Sequence, residues 1–424
     1  MFEGFVHKLK LIFQDSGLRN RLLFILAMLV VFRLGTSVPL PGVDPLELER
    51  FFSGNQFLGL LNVFSGGGLA NLSIFMLGVG PFITASIVMQ LLTIMFPKLK
   101  ELYHEEGEAG RRKFNQYARF LTVPLAVLQG FGLLVLLENQ GVITHLGWLA
   151  KALNIITAVA GSIFLMWLGE LISEYGLGNG VSLIIMAGIL AGIPSAVGQV
   201  IVNFDSAQVP LYLLFVALAV VVVAAVVVMT EAERPVPVTY AKRIRGARVY
   251  GGASTYLPIR LNQAGVMPII FALSILLFPQ MLINFVSQAN VASLRQVADF
   301  LLSLLNNTWF YAITYFVLVF AFTYFYSAIT FDPQSVATNL QRNGAFVPGI
   351  RPGRPTAEYI GKTLYRLTLI GAIFLGLVAM LPLIMRAFTG LSALAIGGTA
   401  LLIVVSVSLD LMKRIDAQLS MREY

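Results

Sequence analysis

The sequence predicts an all-α polytopic membrane protein with ten transmembrane helices, and three observations support this. Of the 424 residues, 57% are hydrophobic and 12% are charged, about half the ~25% charged share of soluble domains. The apolar residues stand in long runs, and a helix needs ~20 such residues to cross a bilayer. Basic residues concentrate in alternate loops between these runs. Together these features exclude a soluble globular protein.

Ten apolar segments are long enough for one crossing each. They are residues 20–38, 72–96, 117–137, 153–173, 181–201, 210–230, 264–284, 308–330, 363–385 and 391–412. An even number of crossings places both termini on the same side of the membrane. Loops on that side carry 24 of the 29 Lys and Arg residues, the opposite loops carry four, and Arg33 lies inside the first span. The positive-inside rule therefore predicts cytoplasmic termini.

The first 19 residues form a separate element before the first span. Phe2, Phe5, Leu9 and Ile12 recur at helical spacing, and basic side chains occupy much of the remaining surface. This pattern predicts an amphipathic helix that lies in the cytoplasmic membrane interface.

The ten spans divide into an N-terminal half, residues 20–204, and a C-terminal half, residues 205–412, followed by a cytoplasmic tail, 413–424. If the halves share a fold, five spans in each force them into opposite orientations. Such inverted repeats hold their functional site near the middle of the membrane, between the halves. The sequence itself shows no clear internal repeat.

An apolar stretch at 57–97 is interrupted near its start. Residues 57–64 are too few to cross the membrane, Ser65 and three glycines follow, and residues 72–96 are long enough to cross. Non-helical backbone at membrane depth persists only where it is buried in protein or lines a water-filled cavity. The interruption therefore indicates a conduit rather than a simple anchor.

Two cytoplasmic loops, 231–263 and 331–362, are unusually long, and connections of this length are usually functional or disordered. In the first loop, alternating apolar residues flank Arg245 and Gly246, which predicts a β-hairpin. A basic hairpin tip suits an acidic partner, such as ribosomal RNA or an acidic protein face, without base-specific recognition.

The sequence lacks the residues that catalysis or cofactor binding would need. It contains no cysteine and three widely separated histidines, and it has neither a P-loop nor a nucleophile-elbow motif. We therefore expect no enzymatic activity, metal or cofactor. No carboxylate lies at the centre of a span, which disfavours ion-coupled transport. A small-solute transporter remains the main alternative, and an integral membrane enzyme is a weaker one.

Six strings, in this order along the chain, carry a family resemblance. They are FRLGTSVPLPGVDP at 32–45, SIFMLGVGPFITASIVMQLL at 73–92, GELISEYGLGNGVS at 169–182, YAKRIRGARVYGGASTYLPIRLNQAGVMPIIFA at 240–272, GAFVPGIRPG at 344–353 and GGTALLIV at 397–404. They resemble SecY, the channel-subunit family of the bacterial Sec protein translocase. The resemblance implies a plasma-membrane channel that passes unfolded preproteins outward and releases apolar segments sideways into lipid. It also implies the partners SecE, SecG, the SecA motor ATPase, the ribosome, preproteins with signal sequences, and membrane lipids.

The resemblance also implies roles for individual residues. A pore ring falls on Val79, Ile83, Ile185, Ile189, Ile270 and Ile403. A re-entrant plug half-helix covers about 57–70 and includes Leu60, Leu61, Val63, Phe64, Gly66, Gly67 and Gly68. Gln90 and Asn262 match polar positions of a lateral gate. Docking of SecA or the ribosome falls on Lys242, Arg243, Arg248 and Arg351.

Overall fold

The computed structural model describes most of the chain. The described residues are 14–40, 62, 65–69, 71–104, 106–139, 141–143, 147–202, 209–240, 243–245, 248–250, 254–286, 296–298, 300–301, 303–304, 307–389 and 397–420. Residues 1–13, which make up most of the predicted amphipathic helix, lie outside this set.

Each of the ten predicted spans overlaps a helix of the structure. These helices are α1 (Ser16–Thr36), α2 (Gly80–Met95), α4 (Gly107–Asn139), α5 (Trp148–Tyr175), α6 (Gly180–Val202), α7 (Val209–Glu231), α8 (Met267–Val286), α9 (Thr308–Thr330), α11 (Arg354–Thr389) and α12 (Gly397–Ser420). Two shorter helices, α3 (Pro97–His104) and α10 (Pro333–Arg342), lie between them.

In the described part of the chain, five helices meet the length and apolarity needed to cross a membrane: α4, α5, α7, α9 and α11. A sixth is added if α2 and α3, which are bent by 116° at their junction, count as one span. On α7 large apolar side chains such as Val216, Val220 and Val221 are exposed. Exposed apolar faces of this size are typical of contact with lipid.

The second predicted span is shorter as a helix than the sequence indicates. Residues 72–79 form successive turns, and α2 begins only at Gly80. The Ser73 hydroxyl accepts a hydrogen bond from the Phe75 amide at 3.2 Å, and Gly78 has a φ of +57°. A side chain that bonds the local backbone and a left-handed glycine both compete with helix formation.

Polar side chains cap the first turn of several other helices, including α1 and α9. The Asp15 carboxylate accepts a hydrogen bond from the Gly17 amide at 2.9 Å at the start of α1. Asn307 accepts from the amides of Trp309 and Phe310 at the start of α9. Each side chain satisfies backbone donors that a helix leaves free at its first turn.

The N-terminal helices, α1 to α6, meet the C-terminal helices, α7 to α12, along two seams. At one seam α2 and α4 pack against α8, and at the other α6 packs against α12. The main hydrophobic cluster extends across both seams, since its members come from α1, α2, α5, α6, α7, α8, α9, α11 and α12.

The glycine-rich stretch after α5 forms a tight turn into α6. Gly178 has a φ of +86°, and α6 starts two residues later. A Cβ at Gly180 would lie 2.0 Å from the Gly169 carbonyl oxygen. The absence of side chains at these glycines lets α5 and α6 pack at close range.

The two long loops form one unit, the loop unit, with its own core. The predicted hairpin is confirmed: β1 (Glu233–Tyr240) pairs antiparallel with β4 (Ser254–Arg260), and β2 (Arg243–Arg245) pairs with β3 (Arg248–Tyr250). From the second loop, β5 (Ala345–Phe346) pairs with the other edge of β1. The buried side chains beneath this sheet are Val236, Ile259, Val347, Ile360 and Leu364.

Truncation of this core should loosen both loops together. Ile360 is fully buried in the cluster, and we expect Ile360→Ala to destabilise the unit by about 2–5 kcal/mol. Limited proteolysis in detergent should then cleave both loops faster. Tyr256→Ala, at a side chain that is 67% exposed on β4, is the control. Cleavage of one loop alone in Ile360→Ala would contradict a shared core.

Candidate functional site

The six residues of the expected pore ring are all buried and belong to the same large hydrophobic cluster. Val79 lies directly before α2 and Ile83 lies within it. Ile185 and Ile189 lie on α6, Ile270 on α8 and Ile403 on α12. All six are at most 8% exposed and belong to one hydrophobic cluster. Four chain segments, two from each half, therefore contribute these aliphatic side chains to the cluster.

Four of the six residues form two pairs that are each four residues apart in sequence. Ile185 and Ile189 are four residues apart on α6, so they share one face of the helix. The Val79 carbonyl accepts a hydrogen bond from the Ile83 amide at 3.0 Å, which places this pair one helical turn apart at the start of α2. Each pair therefore presents two stacked aliphatic side chains.

The expected plug lies only partly within the described residues. Leu60, Leu61, Val63 and Phe64 lie outside them, whereas Gly66, Gly67 and Gly68 belong to a turn at 65–69. Gly66 and Gly67 have φ values of +65° and +86°, a conformation that favours glycine. The turn is closed by hydrogen bonds from the Leu69 amide to the Ser65 hydroxyl and from the Ser73 amide to the Gly68 carbonyl, both 2.8 Å.

This turn packs backbone to backbone on α6, beside two of the ring residues. A Cβ at Gly188, which lies between Ile185 and Ile189 in sequence, would be 2.1 Å from the Gly66 Cα. A Cβ at Gly66 would be 2.3 Å from the Phe32 ring of α1. Because both distances are far below van der Waals contact, this arrangement requires glycine at both positions.

After the turn, the chain is fixed by side-chain burial and by backbone hydrogen bonds to residues 38–40. Leu69 and Leu72 are fully buried in a second cluster with side chains of α4 and α5. Pro39 and Ser73 form an antiparallel bridge, flanked by hydrogen bonds from the Leu40 amide to the Leu72 carbonyl and from the Ile74 amide to the Val38 carbonyl. The segment from Leu69 onward is therefore fixed to its surroundings.

The expected gate residues lie on or near two of the helices that meet at the first seam, α2 and α8. Gln90 is on α2, and Asn262 precedes α8 by five residues. The Asn262 side-chain amide donates to the Gly265 carbonyl at 3.2 Å. Gln90 Oε1 and Asn262 Oδ1 are buried and have no hydrogen-bond partner among the described residues. Buried polar oxygens of this kind favour any rearrangement that gives them a donor.

The expected docking residues lie on the loop unit, except Lys242, which lies outside the described residues. Arg243 and Arg248 are on β2 and β3, where the backbone alone is described. Arg351 is exposed on the turn that follows β5. Its carbonyl accepts a hydrogen bond from the buried Thr356 hydroxyl at 2.8 Å, which fixes the turn that carries this arginine.

Sequence reasoning missed Gly188 as a contact of the glycine turn. Its one local signal is a glycine inside an apolar helix, between two isoleucines already selected for the ring. Glycine in a helix interior reduces helix stability by about 1 kcal/mol relative to alanine. A glycine at such a position therefore indicates a close packing contact. The partner, Gly66, is 122 positions away in the sequence, and no local pattern connects the two.

Comparison with known proteins points to one family. A family model described as SecY matches residues 73–412. Proteins named protein translocase subunit SecY from Streptomyces galbus and Halalkalibacterium halodurans are 42% and 43% identical to the chain, each aligned over 97% of both chains. The protein of the same name from Aquifex aeolicus is 40% identical over 98% of both.

Solved structures show the same fold at lower identity. A structure described as that of a protein conducting channel has a TM-score of 0.65 and 19% identity, covering 95% of this chain and 92% of the other. A second, whose description concerns the plug domain of SecY, has a TM-score of 0.62 at 19% identity and the same coverage. The helical membrane fold, the match over residues 73–412 and the identity above 40% along nearly the whole length show that the chain belongs to the SecY family.

Proposed function

We propose that this protein is the channel subunit that moves unfolded preproteins across the bacterial plasma membrane and releases membrane-protein segments laterally into lipid. One observation carries the proposal: the six aliphatic side chains, from both halves, are buried in the same hydrophobic cluster, and a glycine turn packs on α6 at Gly188. The relatives that share 40–43% of its residues are named as protein translocase subunits.

The chemistry of the six side chains suits a seal that a polypeptide can pass. Branched aliphatic groups offer no ligands to ions or water, so a narrow ring of them resists ion flow by dewetting. They also make no directional bonds, so they can surround many different sequences without holding any of them. We assign the ring to Val79, Ile83, Ile185, Ile189, Ile270 and Ile403.

The remaining architecture follows from this assignment. Residues 20–204 and 205–412 form two inverted halves of five spans each, and both termini face the cytoplasm, as the distribution of basic residues supports. Residues 57–70 form the plug, with the left-handed Gly66 and Gly67 as its hinge. Gln90 and Asn262 tune the opening of the seam with α8, which serves as the lateral gate.

The energy for transport comes from partners, and the chain itself catalyses no covalent reaction. SecE and SecG complete the channel, while SecA or a translating ribosome docks on the loop unit, which faces the cytoplasm. A structural neighbour described as Sec61 in a canine ribosome–channel complex has a TM-score of 0.61 and 18% identity, covering 95% of this chain. The basic hairpin and Arg351 suit such acidic docking surfaces.

Reconstitution tests the proposed function directly. The chain, with SecE and SecG, is placed in liposomes and supplied with SecA, ATP and a preprotein. We expect preprotein protected from external protease, and no protection when ATP or the signal sequence is omitted. Uptake of a small solute without preprotein protection would instead support a transporter.

Charge reversal at Arg351 should weaken docking of the motor. We expect Arg351→Glu to bind SecA roughly tenfold more weakly, since a hydrogen bond to a charged group contributes about 1.5–3 kcal/mol. The fold should persist because Thr356 bonds the Arg351 carbonyl, not its side chain. SecA binding and preprotein protection in liposomes are the measurements.

Arg354→Glu is the matched control for this variant. Arg354 is also an exposed arginine, and it pairs with Glu358 one helical turn later. If both variants lose SecA binding equally, a general charge effect replaces the specific role of Arg351. If neither loses it, the docking assignment of Arg351 is wrong.

A further inference from the structure

One buried hydroxyl bridges two separate segments of the N-terminal half. Ser162, on α5, donates a hydrogen bond to the Gly78 carbonyl at 2.9 Å, across 84 positions of sequence, and Ser162 is 0% exposed. Other buried hydroxyls, such as those of Thr122 and Thr323, donate to the carbonyl four residues earlier in their own helix. The Ser162 hydroxyl therefore stabilises tertiary structure rather than its own helix.

The residue before Ser162 allows the close approach that this bond needs. A Cβ at Gly161 would lie 2.0 Å from the Ile74 carbonyl oxygen, so the backbone of the 74–78 turns lies directly on α5. Gly78 has a left-handed φ of +57°. Its carbonyl accepts the serine hydroxyl just where the turns end and α2 starts.

The position of this bond matters for the proposed ring. Gly78 directly precedes Val79, which is the N-cap of α2 and has no side-chain cap hydrogen bond. The Val79 carbonyl in turn accepts the Ile83 amide. A shift of the Gly78 carbonyl would therefore move both ring residues of this segment.

A second and weaker contact ties the same helical turn to α4. Gln129 Nε2 donates to the Thr84 hydroxyl at 3.4 Å, and the Thr84 hydroxyl donates to the Gly80 carbonyl at 3.0 Å. The start of α2 is thus held from two sides by helices of its own half. α5 also packs closely on α6 at Gly169 and Gly180. The same helix, α5, therefore contacts both segments that carry pairs of proposed ring residues, the start of α2 and α6.

We propose that Ser162 is a positioning residue of the constriction, which holds Val79 and Ile83 in the sealed ring through the Gly78 carbonyl. Within the hydrocarbon region no bulk water replaces a lost donor. Without the hydroxyl, the Gly78 carbonyl has to find another donor, and the turn that carries Val79 then rotates. The inference rests on the proposed pore ring.

The test compares resting ion conductance in lipid bilayers that contain the channel with SecE and SecG. We expect Ser162→Ala to raise this conductance roughly fivefold or more, the factor by which one buried hydrogen bond shifts a two-state equilibrium. Ser162→Thr, which retains a hydroxyl, should restore low conductance. Thr122→Val, which removes a buried hydroxyl bonded within α4, should leave conductance unchanged.

Each outcome separates the inference from the ring itself. Ile83→Asn serves as the positive control for the ring. If Ile83→Asn conducts and Ser162→Ala does not, the ring stands and the role of Ser162 is overturned. Equal conductance of the threonine and alanine variants also overturns it. If neither Ile83→Asn nor Ser162→Ala conducts, the ring assignment is wrong, and the inference about Ser162 is overturned with it.

A second variant covers the case in which Ser162→Ala does not assemble. Ser162→Cys, whose thiol is only a weak donor, then replaces it, and the same outcomes apply.

Discussion

Gly188→Ala should unseat the glycine turn and open the resting channel to ions. The new methyl group would lie 2.1 Å from the Gly66 Cα, and also 2.7 Å from the Gly66 carbonyl carbon. Backbone atoms cannot move aside as a flexible side chain can, so the turn has to leave its place on α6. Overpacking of this kind costs about 1–3 kcal/mol, and ~1.4 kcal/mol corresponds to a tenfold change in an equilibrium. We therefore expect a roughly tenfold rise in resting ion conductance.

Gly192→Ala is the matched control on the same helix. A Cβ at Gly192, one turn further along α6, meets no atom within 4 Å. The two variants gain the same helix propensity, about 1 kcal/mol per residue, and differ only in the contact with Gly66. Gly192→Ala should therefore conduct as little as the unmodified channel. Low conductance of both variants would show that the contact between Gly188 and Gly66 does not contribute to the seal.

Ile83→Asn and Ile403→Asn should make the constriction leaky and less selective for signal sequences. Both isoleucines are buried in the main cluster, and an amide without partners in such a site costs about 1–3 kcal/mol. Water then hydrates the ring, which lowers the barrier to ions and to opening. We expect higher resting conductance and export of preproteins with defective signal sequences.

The controls separate polarity from loss of packing. Ile83→Val keeps an aliphatic side chain and should keep the seal. Ile94→Asn places the same amide on the same helix, at an exposed position near its end, and should not conduct. Unchanged conductance and unchanged selectivity in both ring variants would remove these residues from the pore.

Local sequence patterns predicted the helices well and their packing poorly. The predicted span at 308–330 coincides with α9, because apolar length and a capping Asn307 are both local signals. The span at 72–96 was predicted too long. Ser73 and Gly78 prevent helix formation in its first turns, and an average of hydropathy over the segment does not detect this effect. The hairpin around Arg245 was predicted from alternation, but its pairing through β1 with the second loop was not.

The class of the protein can be read along the chain, because the hydrophobic length of each span, the bias of basic residues and the six family strings are all local features. Which residues touch was decided by the tertiary structure. Gly188 meets Gly66, and Ser162 bonds Gly78, although each pair is more than 80 positions apart. The physical reason is that a close approach of two backbones depends on the space between helices. The residue types along a single helix do not specify which distant segment occupies that space.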